Sequence, residues 1–568
     1  MFKRILALVL ALLMLTAVFV GCSKKRKTNI GETSTSGTTA ATTKDDDSEE
    51  PGDDSEETEE STERETVNID ETNADMTKDG EVNDTAPADE WDIKYILNPD
   101  NWEDSDIPEE VDYEGYEFTV LADSNTGNKI SQCEFLVESD GELIKEKVAE
   151  RRKYVEEYLG ISFNIVEYEG GYGNMEGFAS EIEAASGAGT PYDLSVSYCL
   201  IPPIVAAKGL SRDLAESENL NLYETKKPYW GSGIKEEIMI GGRIFWMSDN
   251  SSWTSVRSMT CIFVNVDTFE RVNQGYTKAH LYEMVDKKTW TMDNLLILSQ
   301  NAYSNTNTGD EKTEGVDNGD EFGLATAVGM ARVDLWLYGA GLRYTELNNK
   351  GTYDWTLEKP VHVEFINWWQ EKIQNDDDVL SKNPENVLVE EGRAMFMHAP
   401  VLVTESNLEY NFTVLPMPFY KTDVKNNYST SLCNMYGSWL IPKATKTEAF
   451  ERSATVLEVL AAGGNMYLAP AYFEVYLKRQ VATADLDMMR MFNVIRNSIV
   501  FDLGYLYGSS LLVENLAGNG IYDEPFLALR RLWTGGSSSY SNITTVWAQI
   551  KGTATTKLNN LMVDILDY

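Results

Sequence analysis

From Tyr116 onward, short apolar runs alternate with longer stretches whose apolar residues recur every three or four positions. YEFTVLAD (116–123) predicts a strand that runs into polar turn residues. Between Leu143 and Leu159 the residues Ile144, Val148, Val155, Tyr158 and Leu159 form one stripe, which predicts an amphipathic helix stopped by Gly160. ISFNIVEY (161–168) predicts a second strand, MEGFASEIEAASGAG a second helix, YDLSVSYCL (192–200) a third strand and IVAAKGLSRDLAE a third helical piece. Strands alternating with helices of this length imply βαβ units and a parallel sheet, so this part is α/β.

Further along, GGRIFWMSD (241–249) and TCIFVNV (260–266) predict strands, and DTFERVN a helix. Another helix is expected in TWTMDNLLILSQNAYS, where Thr291 or Asp293 can cap the N-terminus. FGLAT, GRAMFMHA and NFTVLPMPF have strand character, while DLWLYGAG and PVHVEFINWWQEKI have helical character. From TEAFERSATVLEVLAA to the end the chain reads as mostly helical, and no fixed-period repeat is visible.

The first hundred residues follow different rules. Lys3-Arg4 precede an apolar run from Ile5 to Val20, interrupted only by Thr16. Sixteen residues rise about 24 Å as a helix, short of the roughly 30 Å hydrocarbon core, so an export signal over 1–21 is expected rather than a spanning helix. Phe19-Val20-Gly21-Cys22 resembles the bacterial lipobox, with Phe19 where leucine is usual. The resemblance implies a diacylated Cys22 as mature N-terminus, followed by the basic cluster Lys24, Lys25, Arg26 and Lys27, which suits anionic headgroups. Between Lys44 and Glu110 stand 28 acidic residues against 4 basic ones, a net −24 out of −44 for the chain. A segment with so little to bury cannot offset its chain entropy, so 22–111 is expected to be a disordered acidic linker. The remaining −20 leaves no electrostatic footprint for nucleic acid. Tyr113 to Tyr568 is too long for one core and suits two lobes.

Taken in order, YEFTVLAD, EEYLGISFN, PYDLSVS, CIFVNVDTFE, TWTMDNLL, EFGLAT, EEGRAMFM, NFTVLPMP and GSWLIPKATKTEAFERSATVLEVL span nearly the whole globular part. This order resembles the extracellular solute-binding proteins of bacterial ABC importers, especially the sugar-binding lipoproteins. The resemblance implies a two-lobed, periplasmic-binding-protein-like α/β fold with an interlobe cleft and hinge strands. Lobe I would comprise 112–257 and 429–473, and lobe II 258–428 and 474–568, with crossings near Met259 to Phe263, Ser429 to Asn434 and Pro470 to Glu474. It also implies capture of a carbohydrate, most suitably an oligosaccharide, for ABC permease subunits. The chain would act as a monomer on the extracellular face of the cell membrane.

A sugar site needs aromatic faces for the ring C–H groups and carboxylates, amides or Arg for the hydroxyls. Strand ends and irregular turns supply the candidates. Asp123, Ser124 and Asn125 follow the first strand, Ser197 and Tyr198 close the third, and Asp249, Trp253 and Arg257 precede the first crossing. Trp253 stands out, because a core position among Ser, Asn and Thr is hard to arrange. Trp336, Tyr338 and His398 are candidates in the second lobe, and Tyr436 and Trp439 at the second crossing.

Other chemistries find less support. GGYGNMEG has its third glycine, Gly177, one place late for a dinucleotide fingerprint and reads as a flexible turn. The loop 305–323 is rich in oxygen ligands but lacks the spaced pattern of a calcium loop. Cys133, Cys199, Cys261 and Cys433 are scattered and imply no connectivity; Cys199 and Cys261 lie in apolar runs that suit buried thiols. Three distant histidines disfavour a triad or a metal cluster, and no nucleophile elbow, zinc-protease or P-loop motif occurs. No cofactor, metal or covalent catalysis is therefore expected. A surface glycoside hydrolase and a binder of a non-sugar such as a peptide are the alternatives.

Overall fold

The structure, a computed structural model, describes residues 111–124, 132–135, 143–220, 222, 229–230, 237–249, 252–304, 320–326, 333–374, 379–380, 391–405, 408, 410–421, 427–472, 486–514, 522–523 and 543–567. The expectations for residues 1–110, including Cys22, and those for Asn125 and for 305–319 lie outside the described residues. Among the described residues no helix is long and apolar enough to cross a membrane.

The first sheet has the order β12-β3-β1-β2, with β1 (Tyr116–Asp123), β2 (Ile161–Tyr168), β3 (Leu194–Tyr198) and β12 (Gly437–Leu440). β1 lies parallel to β2 and β3, and β12 closes the edge antiparallel to β3, with Tyr198 opposite Gly437. The connections are α1 (Leu143–Leu159) and α2 (Met175–Gly187), and α3 (Ile201–Ala207) follows β3. The stripe read from sequence is the buried face of α1: Ile144, Val148, Val155 and Leu159 are in the core. Arg151, on the same helix, is also buried. Its guanidinium donates to Glu134 Oε2 at 2.9 Å, which offsets part of the cost of removing both charges from water.

One expected strand is absent. Residues 241–249 make only single backbone pairings, Ile240 with Arg243 and Met247 with Trp439. Gly241 and Gly242 both have positive φ (58° and 85°), so the run opens on a tight reversal instead of extended chain.

The second sheet has the order β10-β4-β9-β5-β8: β4 (Thr260–Asn265), β5 (Phe322–Ala325), β8 (Val379–Leu380), β9 (Ala394–Pro400) and β10 (Phe412–Leu415). β4 is antiparallel to both β10 and β9, whereas β5 is parallel to β9 and β8. α4 (Trp253–Ser258) leads into β4, and Asn265 caps α5 (Val266–Val272) by accepting from Thr268 N at 3.0 Å. α6 (Lys278–Asp286) follows, and Thr291 is the cap of α7 (Met292–Ser299), accepting from Asn294 N at 3.2 Å. α8 (Val333–Gly339), the hairpin β6 (Thr345–Leu347) and β7 (Tyr353–Trp355), and α9 (Pro360–Trp369) complete this part. The fold class is thus the expected α/β, with two large sheets and, among the described residues, three two-stranded ones.

Between the sheets, stretches of chain run side by side. Met259 pairs with Leu432, Cys433 N donates to Ser258 O at 2.7 Å, and Thr260 Oγ1 donates to Ser431 O at 2.9 Å. β11 (Thr430–Ser431) pairs in parallel with β13 (Ile499–Val500), adding a third strand to this bundle. Helices α10 (Thr447–Gly463), α11 (Leu486–Asn497), α12 (Leu503–Leu506) and α13 (Ile543–Asp567) make up the last part, as the apolar pattern predicts. α13 touches 241–243 and β7 together: Arg243 Nη1 donates to Leu566 O at 3.2 Å, and Trp547 packs on Trp355 with ring centroids 5.7 Å apart. A backbone bond from Gly241 N to Gly351 O (2.8 Å) and the Glu237–Arg343 ion pair (3.0 Å) tie the same regions.

Candidate ligand site

At the carboxyl end of the first sheet, Asp123 is only 3% exposed and serves three strand ends at once. Its carboxylate accepts from Gly170 N (3.0 Å), Gly171 N (2.7 Å) and Tyr198 N (3.2 Å). A Cβ on Gly170 would stand 2.6 Å from Asp123 Oδ2, and Gly171 has φ 69°, so both glycines let the main chain wrap the carboxylate. The GGYGNMEG turn is therefore built around an acid. It also presents Tyr172, which is 66% exposed.

At the second crossing, Tyr198 Oη accepts from Asn434 Nδ2 at 2.7 Å, and Cys199 N donates to Tyr436 O at 3.1 Å. Tyr436 meets Phe501 edge to face at 6.3 Å. Trp439 is buried, with its Nε1 donating to Asp249 Oδ2 at 3.2 Å. Asp249 in turn lies in the field of the buried Arg496, whose guanidinium burial lowers to about 10 against that attraction.

Trp253 is only 6% exposed, contrary to the sequence argument that a core role would be hard to arrange. Its ring lies 4.7 Å from that of Tyr472 and 5.5 Å from the Arg257 guanidinium. Partners distant in sequence create this pocket, so its polar neighbours gave no sign of it.

Beside the second sheet, Trp336 and His398 come together over the end of β5. Trp336 Nε1 donates to Thr326 Oγ1 at 2.8 Å, the two rings are 5.3 Å apart, and His398 Nδ1 is 3.4 Å from the same hydroxyl. Tyr338, also buried, has its hydroxyl pushed up by burial and then by the nearby Asp502 and Asp334. Asp334 accepts from Tyr344 Oη.

Half-buried Tyr505, on α12, links these groups. Burial is the largest cause raising the Tyr198, Tyr436 and Tyr338 hydroxyls, and all three also feel Tyr505; Tyr198 feels Tyr172 as well. Tyr172 in the turn after β2, Tyr198 at the end of β3, Tyr436 and the half-buried Asn434 at the crossing, Tyr338 on α8 and Tyr505 on α12 thus lie near one another. Burial raises the hydroxyls of Tyr198, Tyr436 and Tyr338, which keeps these three neutral, and a phenol can both donate and accept hydrogen bonds.

Asp502 holds Tyr505 in place. It caps α12, accepting from Gly504 N (2.9 Å), Tyr505 N (3.3 Å), Thr345 Oγ1 (3.1 Å) and Tyr344 N. Burial nevertheless raises its carboxyl to about 7, against the lowering by these donors and by Arg343. Among the described residues no group of three His, Cys, Asp or Glu side chains could hold a metal ion.

Sequence reasoning did not single out Tyr172 or Tyr505. Tyr172 carried a usable signal, a lone aromatic among glycines with no apolar period. Tyr505 sits in FDLGYLYG, which reads as core.

No protein-family model matches the chain, and no curated protein sequence matches it. Among solved structures it is similar to a maltose/maltodextrin-binding domain from Bdellovibrio bacteriovorus bound to maltotriose: 11% identity, 78% of this chain and 100% of that one, TM-score 0.45. It is also similar to the galacto-N-biose/lacto-N-biose I-binding protein of an ABC transporter from Bifidobacterium longum, in complex with lacto-N-biose: 12% identity, 79% and 98% coverage, TM-score 0.46. A third is an ABC substrate-binding protein from Listeria monocytogenes in complex with cycloalternan: 11% identity, 79% and 98% coverage, TM-score 0.43.

Proposed function

We propose that this chain is the extracellular solute-binding component of an ABC importer, and that it captures a carbohydrate, an oligosaccharide by preference, for a membrane permease pair. The observation that carries the reading is the group of tyrosines near the crossing, Tyr198 and Tyr436 from the first sheet and its approach, and Tyr338 and Tyr505 from α8 and α12. Small-molecule sites concentrate between domains and beyond the carboxyl ends of parallel strands, where these side chains stand.

The lobes of this reading are 112–257 with 429–473, and 258–428 with 474–568. Ligand touching the tyrosines of both would favour the arrangement that brings them together, by the difference in its contacts to the two arrangements. Phenol faces stack on sugar rings while the hydroxyls and the Asn434 amide exchange hydrogen bonds with sugar hydroxyls. Asp123 and Asp502 are engaged by main-chain N–H groups, an arrangement that supports positioning and binding over turnover. Lipidation at Cys22 and the acidic linker would hold this monomeric binder beside its permease.

The test is a thermal-shift screen of the full chain against oligosaccharides and peptides. A ligand at a hundred times its dissociation constant adds about 2.7 kcal/mol. The expected result is a raised midpoint with an oligosaccharide that emerges chemically unchanged. A midpoint moved by peptides and by no sugar, or hydrolysis of the glycan, would overturn the reading.

A further inference from the structure

The turn GGYGNMEG, which matches no dinucleotide fingerprint, holds one aromatic ring in a fixed place. Tyr172 is 66% exposed, the most exposed large hydrophobic side chain among the described residues, and among them no hydrogen bond or ring contact engages it. The main chain beneath it is nonetheless tightly held. Gly170 N and Gly171 N donate to Asp123 at 3.0 and 2.7 Å, Asn174 N donates to Gly171 O at 3.3 Å, and Asn174 Nδ2 donates to Glu169 O at 2.7 Å. A Cβ on Gly170 would press on Phe178, and one on Gly177 on the Asn174 side chain, so both glycines let the turn close. An exposed ring on so fixed a main chain has little backbone freedom left to lose on meeting a ligand.

The sheet sets where that ring stands. Gly171 N and Tyr198 N donate to the same oxygen of Asp123, at 2.7 and 3.2 Å, so the two nitrogens are no farther apart than those distances together. In agreement, the raised Tyr198 hydroxyl feels Tyr172. The strand order β12-β3-β1-β2 then makes a row along one end of the sheet: Tyr436 before β12, Tyr198 on β3, Asp123 on β1 and Tyr172 after β2. From β12 to β1 is two strand spacings, about 10 Å, and the turn reaches Asp123 from the β2 side, so the row is longer than one sugar ring. Its members differ in what they offer. Tyr198 and Tyr436 are only 4% and 3% exposed, which leaves little of their rings open, whereas the ring of Tyr172 is open.

We infer that Tyr172 determines chain-length preference: its ring stacks on a second sugar unit of a ligand whose first unit is held at Tyr198, Asn434 and Tyr436. The inference rests on the carbohydrate reading above and adds to it the residue that tells a chain from a single unit. Both ligands fill the first position alike, and only the longer one brings a C–H face to Tyr172, so the preference is the difference between the two affinities.

The experiment titrates the full chain, unsubstituted and as Tyr172→Ala and Tyr172→Trp, by calorimetry with four matched series of one to four units: glucose to maltotetraose, glucose to cellotetraose, xylose to xylotetraose and mannose to mannotetraose. In the series that binds, the unsubstituted chain is expected to prefer the trisaccharide to its monosaccharide by about tenfold or more. Tyr172→Ala is expected to lose about tenfold on the trisaccharide and less than about twofold on the monosaccharide, and Tyr172→Trp to keep the preference. The urea midpoint of both variants should stay unchanged, as suits an exposed side chain. Unaltered trisaccharide affinity in Tyr172→Ala, or an equal loss for both lengths, would overturn the inference and leave the carbohydrate reading standing. Failure of every series to bind the unsubstituted chain would overturn both.

Discussion

Two buried carboxylates flank the tyrosine cluster, and they hold their tyrosines by different means. Asp123 receives three main-chain N–H groups, two from the turn after β2 and one from Tyr198 at the end of β3. Asp502 receives the N–H groups of Gly504 and Tyr505 at the start of a helical turn, and ties that turn to Tyr344 and Thr345. Both use a glycine donor with no room for a Cβ, Gly170 against Asp123 Oδ2 and Gly504 against Thr345 Cγ2, but the first gathers the ends of strands, whereas the second uses the donors of a helix N-terminus. Both lead to the same division of labour. The acids are used up in holding the backbone, and the tyrosines they position, Tyr198 and Tyr505, are left with their hydroxyls for other partners.

The largest expected effect of breaking this comparison is on its first member. Asp123→Ala leaves three buried N–H groups without their acceptor and should cost about 4 kcal/mol in denaturant unfolding. Gly170→Ala drives a methyl against Asp123 Oδ2 and Phe178, and should cost about 2 kcal/mol by the same measurement. Around Gly173 a Cβ meets open space, so alanine there should leave stability nearly unchanged, and an equal cost at Gly173 would show that crowding at Gly170 is not the cause.

A smaller effect separates holding from binding. Tyr505→Phe removes a cluster hydroxyl and should weaken oligosaccharide binding about tenfold in calorimetric titration, with stability changed by no more than about 0.5 kcal/mol. Equal loss in both readouts would make Tyr505 part of the scaffold.

The subtlest difference is in pH. The Asp502 carboxyl is raised to about 7 in the folded chain, above the ordinary value near 3.9 of an unfolded one. Between those limits the folded state holds a proton that the unfolded state lacks. The contribution of Asp502 to stability is therefore full below about pH 4, declines as pH rises toward 7, and is level above that. Asp502→Asn should flatten this slope in urea midpoints measured across pH 4 to 8, and an unchanged slope would assign it to another group.

The alternating elements of the first sheet were legible because strand and helix periods differ and each is satisfied within a few residues. The stripe on α1 reads directly as its buried face. The failures share a cause, dependence on partners far along the chain. Trp253 is buried because Tyr472 meets it. Arg151 reads as part of a polar face, yet Glu134 draws it into the core. Asp123 was legible as an acid at a strand end, but its three donors come from turns 47 and more residues away. Strand β13, which lies beside β11 between the sheets, is two residues long and carries no pattern of its own. Tyr505 was hidden for the opposite reason, since an apolar run predicts a core and gives no hint that one of its tyrosines remains half-buried.

The central claim is that the ligand is an oligosaccharide held together by the tyrosines at the end of β3, at the crossing and on α12. Hydrogen exchange of the full chain, with and without a saturating oligosaccharide, tests it most directly. The account expects added protection at Tyr198–Leu200, at Asn434–Gly437 and at Leu503–Tyr507 in the same complex. Protection confined to one of these segments, or none at any of them with an oligosaccharide that demonstrably binds, would contradict it.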